Sequence, residues 1–434
     1  MTSPQTAPAQ PETSFQSNEA FAREMDAKDQ LSKYRSEFLI PRTESGAEAI
    51  YFAGNSLGLQ PRKAKEYINE ELDDWARLGV EGHWAARHPW LPYHEFLTES
   101  TARLVGAQPQ EVVVMNTLTV NLHLMMVSFY RPTKTRHKIL IEGNAFPSDQ
   151  YAVKSQARFH GLDPAQSVLE LKPPAGEQTF RTEDILELIE KEGDQIALVL
   201  LGDVNYLTGQ AFDVPAITKA AHAKGCQVGL NLAHGAGNLH LHLHDWDVDF
   251  AVWCSYKYLN CGPGGLSGCF VNSRHLGLVD IPRFEGWWGH DKKTRFQMGP
   301  DFHPIPTVEA WQLSNPPIYP LAALRASMEL FDAATMKELR AKSVVLTSYL
   351  AFLLKSLPNN FCTVVTPDNP DERGCQLSVR VKISHPKELQ TKLAAAGAVC
   401  DFREPDIIRC APVPLYNTFL DAYRFTNVFS EFAK

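Results

Sequence analysis

The chain has 434 residues, 44% of them hydrophobic and 21% charged, the make-up of a globular protein with room for one large domain and a smaller one. A formal net charge of −8 gives no general attraction to nucleic acid or to an anionic membrane, so any anionic ligand needs a locally built site. The eight cysteines include no C-x-x-C pair, no apolar run reaches membrane-spanning length, and the N-terminus lacks the features of a signal or transit peptide; a reduced, cytoplasmic setting is expected.

Residues 1–14, rich in Pro, Thr, Ser and Gln, read as a disordered tail. A helix is expected over 18–38 with Phe21, Met25 and Leu31 inward. In Tyr51-Phe52-Ala53-Gly54-Asn55-Ser56-Leu57-Gly58-Leu59-Gln60-Pro61, small breakers inside an apolar stretch mark a backbone that turns tightly or passes close to something. Pro61 suits a first helical position, and Ala64, Ile68, Leu72, Trp75 and Ala76 fall on one face of the helix after it. Residues 82–90, including His83, Trp84, His88 and Trp90, form an aromatic and histidine-rich loop.

From Val112 the chain alternates. Short apolar runs at 112–115, 138–142, 197–201, 228–232, 250–254 and 268–272 read as strands, and amphipathic stretches at 119–130, 182–192 and 214–224, with another after Asp149, read as helices. This predicts an α/β fold with a mainly parallel sheet covered on both faces, whose ligands gather at the carboxyl ends of the strands. A long helical stretch over 321–357, strands at 376–381, 399–403 and 407–410 and helices at 386–396 and from Asn417 predict a smaller α+β unit. The expected division is an arm over 15–80 packing with the small domain, a large domain over 81–320 and the small domain over 321–434.

Lys257 stands between two tyrosines where the 250–254 strand ends and a glycine-rich turn begins. Burial there lowers a lysine's pKa toward the neutral amine that forms Schiff bases; the competing reading is a lysine snorkelling from a polar turn. The turn at Asn116-Thr117-Leu118-Thr119 offers N–H groups and hydroxyls to a phosphate at a helix start, with Ser148 and Tyr256 as further hydroxyls and Phe146 as a ring to stack. A polar residue ending one strand and a lysine after the next is the order expected for pyridoxal phosphate in an aminotransferase-like fold. His240, His242 and His244 alternate with leucines but lack an evident fourth ligand, so no metal is assigned.

Those residues lie in motifs that resemble the kynureninase family, fold-type I pyridoxal-phosphate enzymes related to class V aminotransferases. The motifs are Gly54-Asn55-Ser56-Leu57-Gly58-Leu59, Thr119-Val120-Asn121-Leu122-His123, Phe146-Pro147-Ser148-Asp149, Leu232-Ala233-His234, Ser255-Tyr256-Lys257-Tyr258-Leu259-Asn260, Gly286-Trp287-Trp288-Gly289-His290, Ser314-Asn315-Pro316-Pro317 and Arg409-Cys410-Ala411-Pro412. The resemblance implies a large domain with a seven-stranded type of sheet, a homodimer with shared active sites, and hydrolysis of L-kynurenine or 3-hydroxy-L-kynurenine in tryptophan catabolism and NAD biosynthesis. It implies Lys257 as the Schiff-base lysine and Tyr256 as a proton donor. Leu118, Thr119, Ser148, Tyr256, Trp287 and Asn315 would hold the phosphate, the last two reaching across the dimer. Phe146, Pro147, Asp149, position 231 and His234 would surround the ring, and His83, Asn315 and Arg409 would bind the substrate.

The family motif has aspartate where this chain has Asn231. A neutral amide supports a pyridinium less than a carboxylate does, by about 2–4 kcal/mol in the transition state, so Asn231→Asp is expected to raise turnover. The alternatives are a divergent relative with weakened or altered chemistry, and a cofactor-binding paralogue with little catalysis. Gly202 and Gln312 are smaller departures.

Overall fold

The computed structural model describes residues 14–278 and 280–432; the expected tail over 1–14 lies almost wholly outside them. Seven strands pair into one sheet, all but the edge strand β3 largely buried: β1 (Val112–Met115), β2 (Lys138–Glu142), β3 (Val168–Leu171), β4 (Ile196–Gly202), β5 (Gln227–Asn231), β6 (Phe250–Cys254) and β7 (Ser267–Val271). Their order is β1-β7-β6-β5-β4-β2-β3. Strands β6, β5, β4, β2 and β3 run parallel, and β7 is antiparallel to both of its neighbours. Buried side chains cover both faces, which is why these strands read as continuous apolar runs.

Helices α1 (Glu19–Lys28) and α2 (Arg62–Leu78) precede the sheet, and α3 (Leu118–Phe129), α4 (Pro147–Phe159), α5 (Thr182–Glu192) and α6 (Val214–Ala223) alternate with its strands. The helix expected over 18–38 stops at Lys28 and gives way to a 3-10 turn. The helical stretch expected over 321–357 is two helices, α7 (Ile318–Ala334) and α8 (Met336–Lys355), broken at Thr335, whose φ of 60° no helix tolerates.

The face assigned to α2 is corrected. Leu72, Trp75 and Ala76 are exposed, whereas Glu71 and Asp74 are buried. The acids turn inward because the following loop gives them donors: Glu71 accepts from Trp90 Nε1 and the Tyr93 hydroxyl at 2.9 Å each, and Asp74 accepts from the Arg87 N–H at 2.7 Å.

A second, antiparallel sheet has the order β8-β9-β11-β10, from β8 (Cys362–Val364), β9 (Leu377–Val381), β10 (Asp401–Arg403) and β11 (Ile407–Cys410). Helices α9 (Pro386–Ala395) and α10 (Phe419–Glu431) accompany it. Ala22, Ile50 and Phe52 share a core with its residues. The 54–58 stretch passes close to the lysine turn: Gly58 N–H donates to Tyr256 O at 2.8 Å, and a Cβ on Gly58 would lie 2.2 Å from Lys257 O. Only glycine fits there, which is the close approach its sequence implied.

Candidate active site

The carboxyl ends of β2, β4, β5 and β6 open into a cavity of ≈ 230 Å³ lined by Leu118, Thr119, Phe146, Ser148, Asp149, Asn231, His234, Tyr256 and Lys257, with Thr117, Glu142, Gly202, Val204, Tyr206 and Ala233 completing the wall. Nine residues singled out from the sequence therefore share one space.

At one end, α3 and α4 begin side by side, and the Thr119 and Ser148 hydroxyls lie 2.9 Å apart. Two helix N-termini and paired hydroxyls make an anion cradle. Pro147 is exposed and is the first residue of α4. Lacking an N–H, it suits that first helical position.

Lys257 is held by the turn after β6, in which Ser255 N–H donates to Leu266 O and Cys261 N–H to Ser255 O. Its Nζ lies 3.1 Å from His234 Nε2. Burial lowers the lysine's pKa, and the same burial, with the Lys257 charge, lowers His234 well below the usual imidazole range. His234 is thus neutral, and its buried Nδ1 has no partner within the protein's described residues. Burial also raises the Tyr256 phenol, which keeps its proton.

On the opposite wall Asn231 Nδ2 donates to Asp149 Oδ2 at 2.8 Å. Burial raises Asp149 to about 6 and Glu142 to about 7. Phe146 stands edge-on to Tyr206 at a centroid distance of 5.4 Å. An anion cradle, a buried neutralisable amine, an exposed aromatic ring and an acid wall match the four chemical parts of pyridoxal phosphate, so the residues present fit that cofactor.

Arg409, on β11, is 1% exposed. Asp401 receives its Nη2 at 2.6 Å and its Nε at 3.3 Å, and Tyr206 O receives Nη1 at 2.7 Å. Arg403 also bonds Asp401, at 2.8 Å. Arg409, His83, Trp287 and Asn315 do not line the cavity: Arg409 is buried behind Tyr206 O and Asp401, His83 is half-buried, bonded to Val80 O, and Trp287 and Asn315 are exposed. Sequence reasoning missed Glu142 and Tyr206, and it noted Gly202 only as a departure from the family. Glu142 ends β2 and Gly202 ends β4, so the strand-end rule that found Asn231 and Lys257 also pointed to them.

The His240 and His242 rings lie 4.5 Å apart, tilted by 53°, but His244 turns to Glu111 at 2.9 Å. Among the described residues the one metal-like group is His94, Glu95 and Glu309, where the Lys292 ammonium already bridges the two carboxylates.

Comparison with known proteins identifies the family. Residues 339–429 match the model of the kynureninase C-terminal domain. A kynureninase of Myxococcus xanthus is 65% identical over 97% of this chain and 98% of its own length, and that of Rattus norvegicus is 48% identical over 95% and 92%. The chain belongs to the kynureninase family. Solved structures agree on the fold: a cysteine desulfurase from Thermococcus onnurineus has a TM-score of 0.75 at 16% identity, covering 92% of this chain and 97% of its own, and CsdA of Escherichia coli has 0.74 at 17%, covering 93% and 98%. Nothing in these relations favours the divergent readings over kynureninase itself.

Proposed function

We propose that the chain binds pyridoxal 5′-phosphate and hydrolyses the Cβ–Cγ bond of L-kynurenine or 3-hydroxy-L-kynurenine, giving anthranilate or 3-hydroxyanthranilate and L-alanine. The observation that carries this reading is Lys257, a buried amine 3.1 Å from a neutral histidine, facing a two-helix anion cradle in a chain of the kynureninase family. When bound, the cofactor supplies an electron sink for the carbon next to the amino group.

The chain's residues divide the remaining work. Leu118, Thr119 and Ser148 hold the phosphate, and Phe146 covers one face of the ring. Lys257 Nζ, whose pKa burial lowers, acts as nucleophile and then takes the Cα proton. Tyr256 Oη, held protonated at rest by burial, gives that proton to the carbon that becomes the alanine methyl. Arg409 binds the α-carboxylate in a bidentate pair, its fork aligned by Asp401.

His83, Trp287 and Asn315 act from a second copy, Trp287 and Asn315 on the phosphate and His83 and Asn315 at the aryl ketone end. Supporting this, one chain leaves them outside the cavity and exposes Trp75, Trp84 and Trp287. The working unit is a homodimer of the cytoplasm in tryptophan catabolism and NAD biosynthesis, each chain having a large cofactor domain (81–320), a small domain (321–434) and an arm (15–80) beside it.

The test is an assay of purified, cofactor-loaded protein with both substrates, following kynurenine absorbance and anthranilate fluorescence, beside Lys257→Ala. Turnover lost in the variant is the expected result. Absence of product with either substrate, or turnover retained in Lys257→Ala, refutes the reading.

A further inference from the structure

His83 sits in the helical turn Gly82–Ala85, and its ring is held from two sides. Its Nδ1 lies 2.9 Å from Val80 O, a bond that only a protonated Nδ1 can donate, so the neutral imidazole carries its lone pair on Nε2. The Trp90 ring stands edge-on to it at a centroid distance of 5.4 Å. Trp90 also comes down on Gly82: a Cβ there would lie 2.3 Å from the indole, so only glycine lets the two meet. Backbone bonds close the loop, from Trp90 N–H to Gly82 O at 3.4 Å and from Leu91 N–H to His83 O at 3.3 Å.

The indole in turn is held by α2. Glu71, 1% exposed, accepts from Trp90 Nε1 through Oε2 and from the Tyr93 hydroxyl through Oε1, at 2.9 Å each. One turn further on, Asp74 accepts from the Arg87 N–H at 2.7 Å. Apolar side chains would fill this space at less cost, whereas a carboxylate meeting two directional donors also fixes the rotation of the indole. Helix α2 is itself clamped to α7, where the Arg325 guanidinium stacks on Tyr67 at 4.2 Å and the Tyr67 hydroxyl donates to Glu329 at 2.6 Å.

Building on the functional reading above, in which His83 meets the aryl ketone end of the substrate, we infer that Trp90 is the positioning residue for His83, with its indole set by Glu71. The Glu71 bond orients the indole, the indole edge and Gly82 orient the imidazole, and Val80 O selects its tautomer. A line of contacts thus runs from α2 to the substrate's aromatic end, and none of Glu71, Trp90 and His83 lines the cofactor cavity of its own chain. Affinity for the aryl ketone therefore depends on Trp90, and affinity for the amino-acid end does not.

The test uses purified protein loaded with pyridoxal 5′-phosphate and two ligands: L-kynurenine in steady-state turnover, and L-alanine, which has the amino-acid end without the aryl ketone, titrated against the cofactor's visible absorption. Trp90→Phe keeps a ring beside His83 and removes the N–H bound by Glu71. It is expected to raise KM for L-kynurenine about fivefold with kcat within about twofold of wild type, and to leave the L-alanine dissociation constant unchanged. An indole that served the fold alone would move both ligands together. Glu71→Gln, which turns an amide N–H toward one of the two donors, gives the same split. In a His83→Ala background Trp90→Phe has no further effect on KM, since a positioning residue acts only through the group it positions. Wild-type KM in Trp90→Phe, an equal loss of affinity for both ligands, or the full fivefold added on top of His83→Ala overturns the proposal alone. A wild-type protein that binds L-alanine but does not turn over L-kynurenine overturns the functional reading, and the proposal with it.

Discussion

Gly235→Ala tests how tightly the region behind the cavity is packed. Asp203 is 1% exposed, and a Cβ on Gly235 would lie 1.4 Å from its Oδ2, against a normal contact distance of about 3.5 Å. The carboxyl must therefore move about 2 Å inside a packed core, or the turn after His234 must shift. Overpacking of this kind costs about 1–3 kcal/mol, and the upper end is expected because the obstructing group is a buried polar one. At roughly 2–4 °C per kcal/mol, thermal unfolding of the apo-protein should fall by about 5–10 °C. The double variant Gly235→Ala with Asp203→Gly removes the obstructing carboxyl and should recover most of that loss. Burial also raises Asp203 to about 8, with both side-chain oxygens lacking a side-chain partner. An acid whose folded pKa exceeds its unfolded one near 4 binds more protons folded, so stability falls as pH rises from about 4 to 8. Asp203→Asn should then gain on wild type as pH rises through that window. A Gly235→Ala protein as stable as wild type, or a double variant worse than the single one, refutes the packing; a pH-independent gap between Asp203→Asn and wild type refutes the electrostatics.

Asp401→Asn leaves the buried Arg409 fork without its anion; it should lower stability by about 3 kcal/mol and raise KM for a carboxylate substrate at least tenfold, measured by urea unfolding and steady-state kinetics. Asp249 is buried, yet its pKa lies well below the usual range, because burial is outweighed by His222, His275, Arg274 and the Val228 N–H. A depressed folded pKa contributes stability above the unfolded value near 4 that is lost as pH falls through the folded one; Asp249→Asn should lose about 3–5 kcal/mol at neutral pH and show a flatter acid limb in thermal melts. Thr119→Ala or Ser148→Ala should each weaken binding of pyridoxal 5′-phosphate about tenfold, read by fluorescence titration.

What the sequence made legible and what it hid divide along physical lines. Apolar runs buried on both faces mark their own strands, so most of the large sheet and the strand-end positions of Asn231 and Lys257 were readable. Edge strands such as Val168–Leu171 and Cys362–Val364 are only half covered, and their weak patterns passed unnoticed. The break at Thr335 carries neither Gly nor Pro. The face of α2 was misassigned because two acids go inward on hydrogen bonds from the 87–93 segment, a tertiary effect that periodicity cannot register. Glu142 and Asp203 look like ordinary strand-end polar residues, and only the folded contacts reveal them as buried acids.

Those buried acids form a row that ends beside Asn231. Asp149, Glu142 and Asp203 run from the cavity wall into the core behind it, raised by burial to about 6, 7 and 8 in turn. Gly202 admits Glu142, and Gly235 admits Asp203. At position 231 this row meets an amide, whose Nδ2 donates to Asp149 Oδ2 at 2.8 Å. An amide at that position donates instead of repelling. The wall thus closes on a hydrogen bond between Asn231 and Asp149 rather than on a pair of like charges.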